Sequence, residues 1–167
     1  ATAALGWPIP VGIALAIALS AAAGALLSRL TLTLRGDYLA IVTLGFSELV
    51  RLVAANEIWL TNGSDGISGI PGPWRASLTP FQFNAVSCVM VLAAVAVAWF
   101  LTERLRRAPY GRALRAVRDD DTAAAVAGKN IRRFKVEAFA LGAGILGIAG
   151  ALYAHYNSYV APDIFRP

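Results

Sequence analysis

The stretch PIPVGIALAIALSAAAGALL, residues 8–27, decides the fold, because it is long, apolar and free of charge. At 1.5 Å per helical residue, about 20 apolar residues cross the roughly 30 Å hydrocarbon core of a bilayer. Three more runs have a similar length: Tyr38–Ala55, Phe83–Leu101 and Val136–Tyr156. Only 15% of the 167 residues are charged, against about 25% in a typical soluble domain. The sequence therefore predicts an all-α, polytopic transmembrane helical bundle rather than a soluble helical bundle.

The basic residues predict how these spans are oriented. Of the fifteen Lys and Arg, twelve lie in residues 28–37 and 102–135, whereas the connections on the other side carry only Arg75 and Arg166. Because short basic loops stay in the cytoplasm, the N-terminus, the loop 56–82 and the tail 157–167 are predicted to face outward. The aromatic residues expected near the membrane interfaces are Trp7, Trp59, Trp74, Trp99, Tyr156 and Tyr159.

The connection 102–135 contains a charged, Ala-rich stretch that predicts a short amphipathic cytoplasmic helix. Pro109 and Gly111 interrupt the helix that leaves the third span, and one helix of about four turns follows over residues 112–127. Gly128 is placed to end that helix. Its mixed charges suit a groove on a protein partner. The alternative is a helix lying on anionic lipid, which the acidic residues 119–121 disfavour.

The second span carries polar residues that are costly in a bilayer. Glu48 and Arg51 are three residues apart and share a helix face, and Thr43, Ser47 and Arg51 follow one another at intervals of four. Charges in a span face a bundle interior, a partner charge or water. Two interpretations stay open: a buried structural ion pair near the outer end of the helix, or a polar stripe along a translocation path or gate.

The fourth span contains GAGILG, residues 142–147, which matches the dinucleotide-binding pattern but lies inside an apolar run. We predict instead that small residues allow close helix packing; they are Gly142, Gly144, Gly147 and Gly150. His155 is expected to have a polar role at the outer interface, and Cys88 to be a buried, inert thiol. No metal site is predicted.

Two motifs resemble the membrane permease subunits of branched-chain amino acid ABC transporters. The first is the coupling helix of that family, matched here by Gly111, Arg112, Ala113, Ala116, Val117, Arg118, Asp119, Asp120, Ala123, Ala124 and Gly128. The family pattern continues at Lys135, Ala138, Phe139, Ser158, Pro162 and Phe165. The second motif lies upstream, in LRGDYLAIVTLGF, residues 34–46. The resemblance extends over about residues 25–167.

This resemblance implies a transporter subunit, not an enzyme, in the inner or plasma membrane of a bacterium or archaeon. ATPase subunits would dock on the coupling helix and use ATP and Mg²⁺, while this chain binds no cofactor. A second permease subunit and a periplasmic or extracellular substrate-binding protein would be further partners, and nucleic acid is not expected. We expect residues 1–167 to form one transmembrane domain that is part of a larger permease or of an obligate oligomer.

The substrate implied by the resemblance is a branched-chain amino acid. The loop after the second span departs from the family pattern, because Asn62 stands where a glycine is frequent, between Thr61 and the glycines Gly63 and Gly66. Asn tolerates left-handed backbone better than most residues, so the turn is expected to survive. One alternative function is a urea or short-chain amide ABC permease. Another is a membrane scaffold whose basic loop binds lipid or nucleic acid.

Overall fold

The computed structural model describes residues 8–31, 34, 37–73 and 78–162, and of residues 37, 59, 60 and 64 it describes the backbone alone. The long helices are α1 (Ile9–Thr31), α2 (Asp37–Asn56), α4 (Pro80–Arg107) and α7 (Ile131–Asn157), and the short ones are α3 (Ile58–Thr61), α5 (Pro109–Asp119) and α6 (Asp121–Val126). A 3₁₀ turn (Gly63–Asp65) and two short strands, β1 (Ile67–Ser68) and β2 (Tyr159–Val160), complete the described elements. The predictions for Trp7, Arg35, Gly36, Trp74, Arg75, Phe165 and Arg166, and for the side chains of Asp37 and Trp59, lie outside the described residues.

All four predicted spans are confirmed as helices long and apolar enough to cross a membrane. Each extends beyond its apolar run, by as much as six residues at the end of α4. Because the chain reverses between spans, the 31–37 and 107–131 connections lie at one end of the bundle, here called the basic end. The 56–80 connection and the strand β2 lie at the other, the loop end.

The α1 and α7 helices form the main interhelical contact, and they run antiparallel. Gly24 of α1 lies against α7, where an added Cβ would fall 2.5 Å from the Cβ of Ala143. Gly147 of α7 lies against α1, where an added Cβ would fall 2.7 Å from Oγ of Ser20. These close approaches bring the two backbones together, as small residues do in membrane helices.

The structure shows close packing on α1 for two of the four glycines. Gly144 and Gly147 face α1, with Ile17 and Ala21 in ordinary contact distance of Gly144. Gly142 and Gly150 have no other described atom within 4 Å of the position that a Cβ would occupy, so they do not pack on α1, and close helix packing at these two positions stays a prediction. The reason is angular: at about 100° per residue, Gly147 lies about 60° around α7 from Gly144, whereas Gly150 lies about 120° and Gly142 about 160° from it.

The remaining surface of the long helices is apolar and largely exposed. Leu19, Leu44, Trp99 and Leu146 have exposed fractions between 62% and 75%. A water-facing surface of this kind would be a liability, but it is the ordinary outer surface of a protein in lipid. Cys88 is on this surface, so the prediction of a buried thiol was wrong. The cause is that apolar neighbours signal burial only when the surrounding solvent is water.

Candidate functional site

The candidate site is the coupling segment, residues 109–128, which leaves α4 through a sharp corner. Ala108 is extended and ends α4, and Pro109 is the first residue of α5. Gly111 is buried in this corner, where an added Cβ would collide with the carbonyl oxygens of Leu105 and Arg106. The predicted interruption is confirmed, and α5 begins at Pro109 because proline is favoured in the first turn of a helix.

The coupling segment is two helices, and the prediction of one continuous helix over residues 112–127 was wrong. Asp120 has an extended backbone, with φ −152° and ψ 107°, between α5 and α6. Its Oδ1 accepts hydrogen bonds from the backbone N–H of Thr122 (2.8 Å) and of Ala123 (3.0 Å), and from Oγ1 of Thr122 (2.6 Å). These are the bonds of a helix N-cap. An Asp in that role competes with helix continuation, which explains the break.

The hydrogen bonds at this cap also favour the ionised form of the Asp120 carboxyl group. The Thr122 hydroxyl first, and then the backbone N–H groups of Ala123 and Thr122, lower the pKa of Asp120 below its ordinary value of 3.8. The carboxylate that the sequence assigned to partner docking is therefore engaged within the segment itself. Its neighbour Asp119 lies 3.0 Å from the guanidinium of Arg118, and both side chains are exposed.

Gly128 ends the segment, as predicted from the sequence. It has a positive φ of 76°, and its N–H donates to the carbonyl of Ala125 while the N–H of Lys129 donates to the carbonyl of Ala124. This pair of bonds defines a Schellman C-cap. Asn130 then caps α7, because its Oδ1 accepts the N–H of Arg133. The turn back into the membrane is thus closed by local hydrogen bonds on both sides.

Burial divides the predicted coupling residues into two sets. The side facing the rest of the protein has Gly111, Val117 and Ala124 buried and Ala113 half-buried. The side facing away has Arg112, Ala116, Arg118, Asp119, Asp120, Ala123 and Gly128 exposed. Sequence reasoning missed Val126, an apolar side chain of the same segment that is 92% exposed. Its position in the last turn of an otherwise Ala-rich helix was the available signal.

The contacts between the coupling segment and α7 include an ion pair and a pair of aromatic rings. Lys135 Nζ lies 2.5 Å from Oδ2 of Asp121, and the rings of Tyr110 and Phe134 have centroids 5.3 Å apart. Between the segment and α7 lies an open groove whose lining includes Phe139. The sequence did not reveal these contacts, because they join residues that are not neighbours on one helix.

The polar residues of α2 form a stripe with an ion pair near the loop end. Arg51 donates two hydrogen bonds to Glu48, from Nε to Oε2 (2.9 Å) and from Nη2 to Oε1 (2.5 Å). The hydroxyls of Thr43 and Ser47 donate to carbonyls of their own helix, each at 2.8 Å. The structure thus brings Glu48 and Arg51 together. It leaves Thr43 and Ser47 bonded within α2.

The loop after α2 is held against the end of α7. Thr61 Oγ1 lies 2.5 Å from the carbonyl oxygen of Ala54 and turns the chain back onto α2. Asn62 has φ 62°, which confirms the expected left-handed backbone, and Gly63 and Gly66 also have positive φ. An added Cβ on Gly66 would collide with the carbonyl oxygen of Val160, so only glycine fits there.

A small clasp at the loop end completes this arrangement. The strands β1 and β2 pair antiparallel, with Ile67 opposite Val160 and Ser68 opposite Tyr159. The one histidine, His155, is buried at the end of α7, and its Nδ1 lies 2.9 Å from the carbonyl oxygen of Pro71. Because a carbonyl only accepts, Nδ1 donates. The expected polar role of His155 is thus a bond that ties the loop to α7. Among the described residues, no group of three or more His, Cys, Asp or Glu could hold a metal ion.

A family model described as "Branched-chain amino acid transport system / permease component" matches residues 1–167. The chain belongs to this permease family. The structure adds that the permease is a multi-pass membrane protein, with four helices long enough to span. No solved structure matches the chain.

Curated relatives of the permease agree with this assignment. It is 37% identical over 172 residues to the high-affinity branched-chain amino acid transport system permease protein LivM of Escherichia coli (88% of this chain, 40% of the relative). It is 39% identical to the protein of the same name from Salmonella typhimurium (87% and 40%). It is 30% identical to a probable branched-chain amino acid transport permease protein LivM of Methanocaldococcus jannaschii (93% and 44%). The permease sequence thus spans about two fifths of the length of the first two relatives.

Proposed function

We propose that this chain is the membrane-spanning part of an ABC importer subunit that moves branched-chain amino acids across the plasma membrane of a bacterium or archaeon. A separate ATPase subunit hydrolyses ATP with Mg²⁺ and docks on the coupling segment. The observation that carries the proposal is the exposed side of that segment, which includes the charged Arg112, Arg118 and Asp119 and the 92% exposed Val126. A surface that combines both signs of charge with an exposed apolar side chain suits a protein groove.

The proposed orientation places the coupling segment in the cytoplasm, because the basic end carries most of the Lys and Arg outside the spans. The loop end, with its clasp, then faces the outside and a substrate-binding protein. A second permease subunit would cover the exposed apolar sides of the helices. The names of the curated relatives support branched-chain amino acids as substrates over urea or short amides.

The test is uptake by the complete transporter, with its ATPase and binding protein, in proteoliposomes. Labelled leucine and labelled urea are compared for the wild type and for a docking variant, Arg118→Gln with Val126→Asp. Arg107→Gln is the matched control, because Arg107 and Arg118 have side chains exposed to the same 77%. We expect the docking variant to lose leucine uptake and co-purified ATPase at least tenfold. Uptake of urea but not of leucine would show that the chain belongs to a urea or short-chain amide permease. If the docking variant changes neither leucine uptake nor ATPase binding, docking on this segment is refuted.

We also propose that the Glu48–Arg51 pair lies on the translocation path. Both hydrogen bonds of the pair are formed, and a pair that serves only helix packing would form them as well. The two roles separate in Glu48→Gln and Arg51→Gln, with detergent thermal stability measured beside leucine uptake. A path role predicts lost uptake at unchanged stability. Parallel loss of both would assign the pair to packing.

A further inference from the structure

The coupling segment is attached to the bundle by an ion pair that differs from the others at the basic end. The Arg106–Glu103, Arg107–Glu103 and Arg133–Glu137 pairs each lie within one helix. Asp121 and Lys135 instead join two elements, since Asp121 is the first residue of α6 and Lys135 lies in the second turn of α7. Their side chains are 26% and 34% exposed, so the pair is partly shielded from water, and its attraction exceeds that of an exposed pair.

The backbone on either side of α6 does not fix the orientation of this helix, so contacts such as the Asp121–Lys135 ion pair must do so. The helix has six residues, too few to be stable alone. It lies between two non-helical positions, the extended Asp120 and the left-handed Gly128. Rotation about either would swing α6 with its exposed Val126 away from α7. Ala124 is buried near the middle of α6, and the Asp121–Lys135 pair joins α6 to α7 on the side of the break.

The α7 helix can transmit a movement that is applied to it at Lys135. It is unbroken over 27 residues, which corresponds to about 40 Å. Its middle packs on α1 at Gly147, and its far end holds the outer loop through His155. A movement imposed at Lys135 is therefore passed to both α1 and the loop end, because close-packed helices move as units.

We propose that Asp121 and Lys135 are a positioning pair that converts displacement of the docked coupling segment into movement of α7. This inference rests on the proposed function, since it needs an ATPase docked on the segment. The pair does not contact substrate or nucleotide. Its loss leaves docking and ATP hydrolysis in place and lowers the amount of substrate moved per ATP.

The experiment uses the complete transporter in proteoliposomes with Asp121→Asn, Lys135→Met, both together, and the exchanged pair Asp121→Lys with Lys135→Asp. Lys129→Met is the matched control, because Lys129 is an exposed lysine in the turn beside the same segment. Co-purified ATPase, ATP hydrolysis and leucine uptake are measured separately. We expect each single variant to lower uptake per ATP by about tenfold, within the range of coupling between sites. The double variant should be no worse than either single one, and the exchanged pair should recover activity.

The outcomes separate this inference from the proposed function. Unchanged uptake per ATP in both single variants would overturn the positioning pair and leave docking intact. Parallel loss of co-purified ATPase and uptake in those variants would also overturn it, since the pair would then only build the docking surface. Additive losses in the double variant would show that the two residues act independently, against the inference. A wild-type permease that retains no ATPase would overturn docking and positioning together.

Discussion

Asp120 is the residue at which a structural and an electrostatic role make opposite predictions. Its carboxylate accepts three hydrogen bonds at the start of α6, two from backbone N–H groups and one from the Thr122 hydroxyl. Asp120→Ala removes all three, and loss of an N-cap costs about 1 kcal/mol. That corresponds to about a fivefold lower ratio of folded to unfolded α6. Asp120→Asn retains an acceptor oxygen and is nearly as good a cap, so it should change that population little.

The assay is amide hydrogen exchange of the purified permease in detergent, read at Thr122 and Ala123, with ATPase co-purification measured on the same variants. We expect about fivefold faster exchange and weaker ATPase binding for Asp120→Ala, and wild-type behaviour for Asp120→Asn. If Asp120→Asn loses ATPase binding as fully as Asp120→Ala while its amide exchange stays slow, the ATPase subunit recognises the negative charge of Asp120. Such a result would refute an internal capping role as the reason for the carboxylate at Asp120.

The pH dependence of the same cap has a defined sign. Because hydrogen bonds lower the pKa of Asp120 in the folded segment, its stabilisation is fully present above the ordinary value of 3.8. It is lost as the pH falls through the lower folded-state pKa. Exchange at Thr122, corrected for intrinsic rates, should therefore accelerate in that acidic range for the wild type and not for Asp120→Asn.

Two further predictions concern the bundle and the clasp. Gly147→Val should destabilise the permease by about 1–3 kcal/mol, because an added Cβ overlaps α1, while Gly150→Val should not do so; detergent melting curves compare them, and equal loss would contradict the packing assignment. In a Cys88→Ser background, Ile67→Cys with Val160→Cys should form a disulfide on mild oxidation, since antiparallel partners lie about 4.5–5.5 Å apart at Cα, within disulfide range. Thiols that stay reactive to maleimide after oxidation would show that the clasp is open.

The spans were predictable because their signal is strong and local. An uncharged run such as residues 8–27 can be satisfied only by lipid or by a large protein interior, and a chain with 15% charged residues cannot supply the latter. The corners of the coupling segment were predictable for a similar reason. Pro109 and Gly128 act through backbone geometry that tertiary contacts rarely override.

The break at Asp120 was harder to predict, because a run of three aspartates offers several equivalent caps. The signal was present in the following Thr122, whose hydroxyl and N–H both bond to Asp120. Glycine packing was predictable as a tendency but not residue by residue. The letters of GAGILG do not show which face meets α1, and Gly24, on the partner helix, lies in a stretch that reads simply as apolar. The clasp has strands of two residues, too short for any alternation pattern.

The α2 helix shows how the sequence and the structure together constrain what the full transporter must cover. Ser47, Glu48 and Arg51 lie on one side of α2. Val42 and Leu49 lie on the opposite side, about 140–160° around the helix from Ser47. All of these α2 side chains remain at least partly accessible in this chain, Leu49 to 61% and the Glu48 side chain to 42%. Lipid is a suitable neighbour for leucine and a costly one for a carboxylate and a guanidinium, even when they are paired. The Leu49 side therefore faces lipid or an apolar helix, and the Glu48–Arg51 side faces water or polar protein. Water or polar protein against Glu48 and Arg51 is the environment that the proposed translocation path would supply in the assembled transporter.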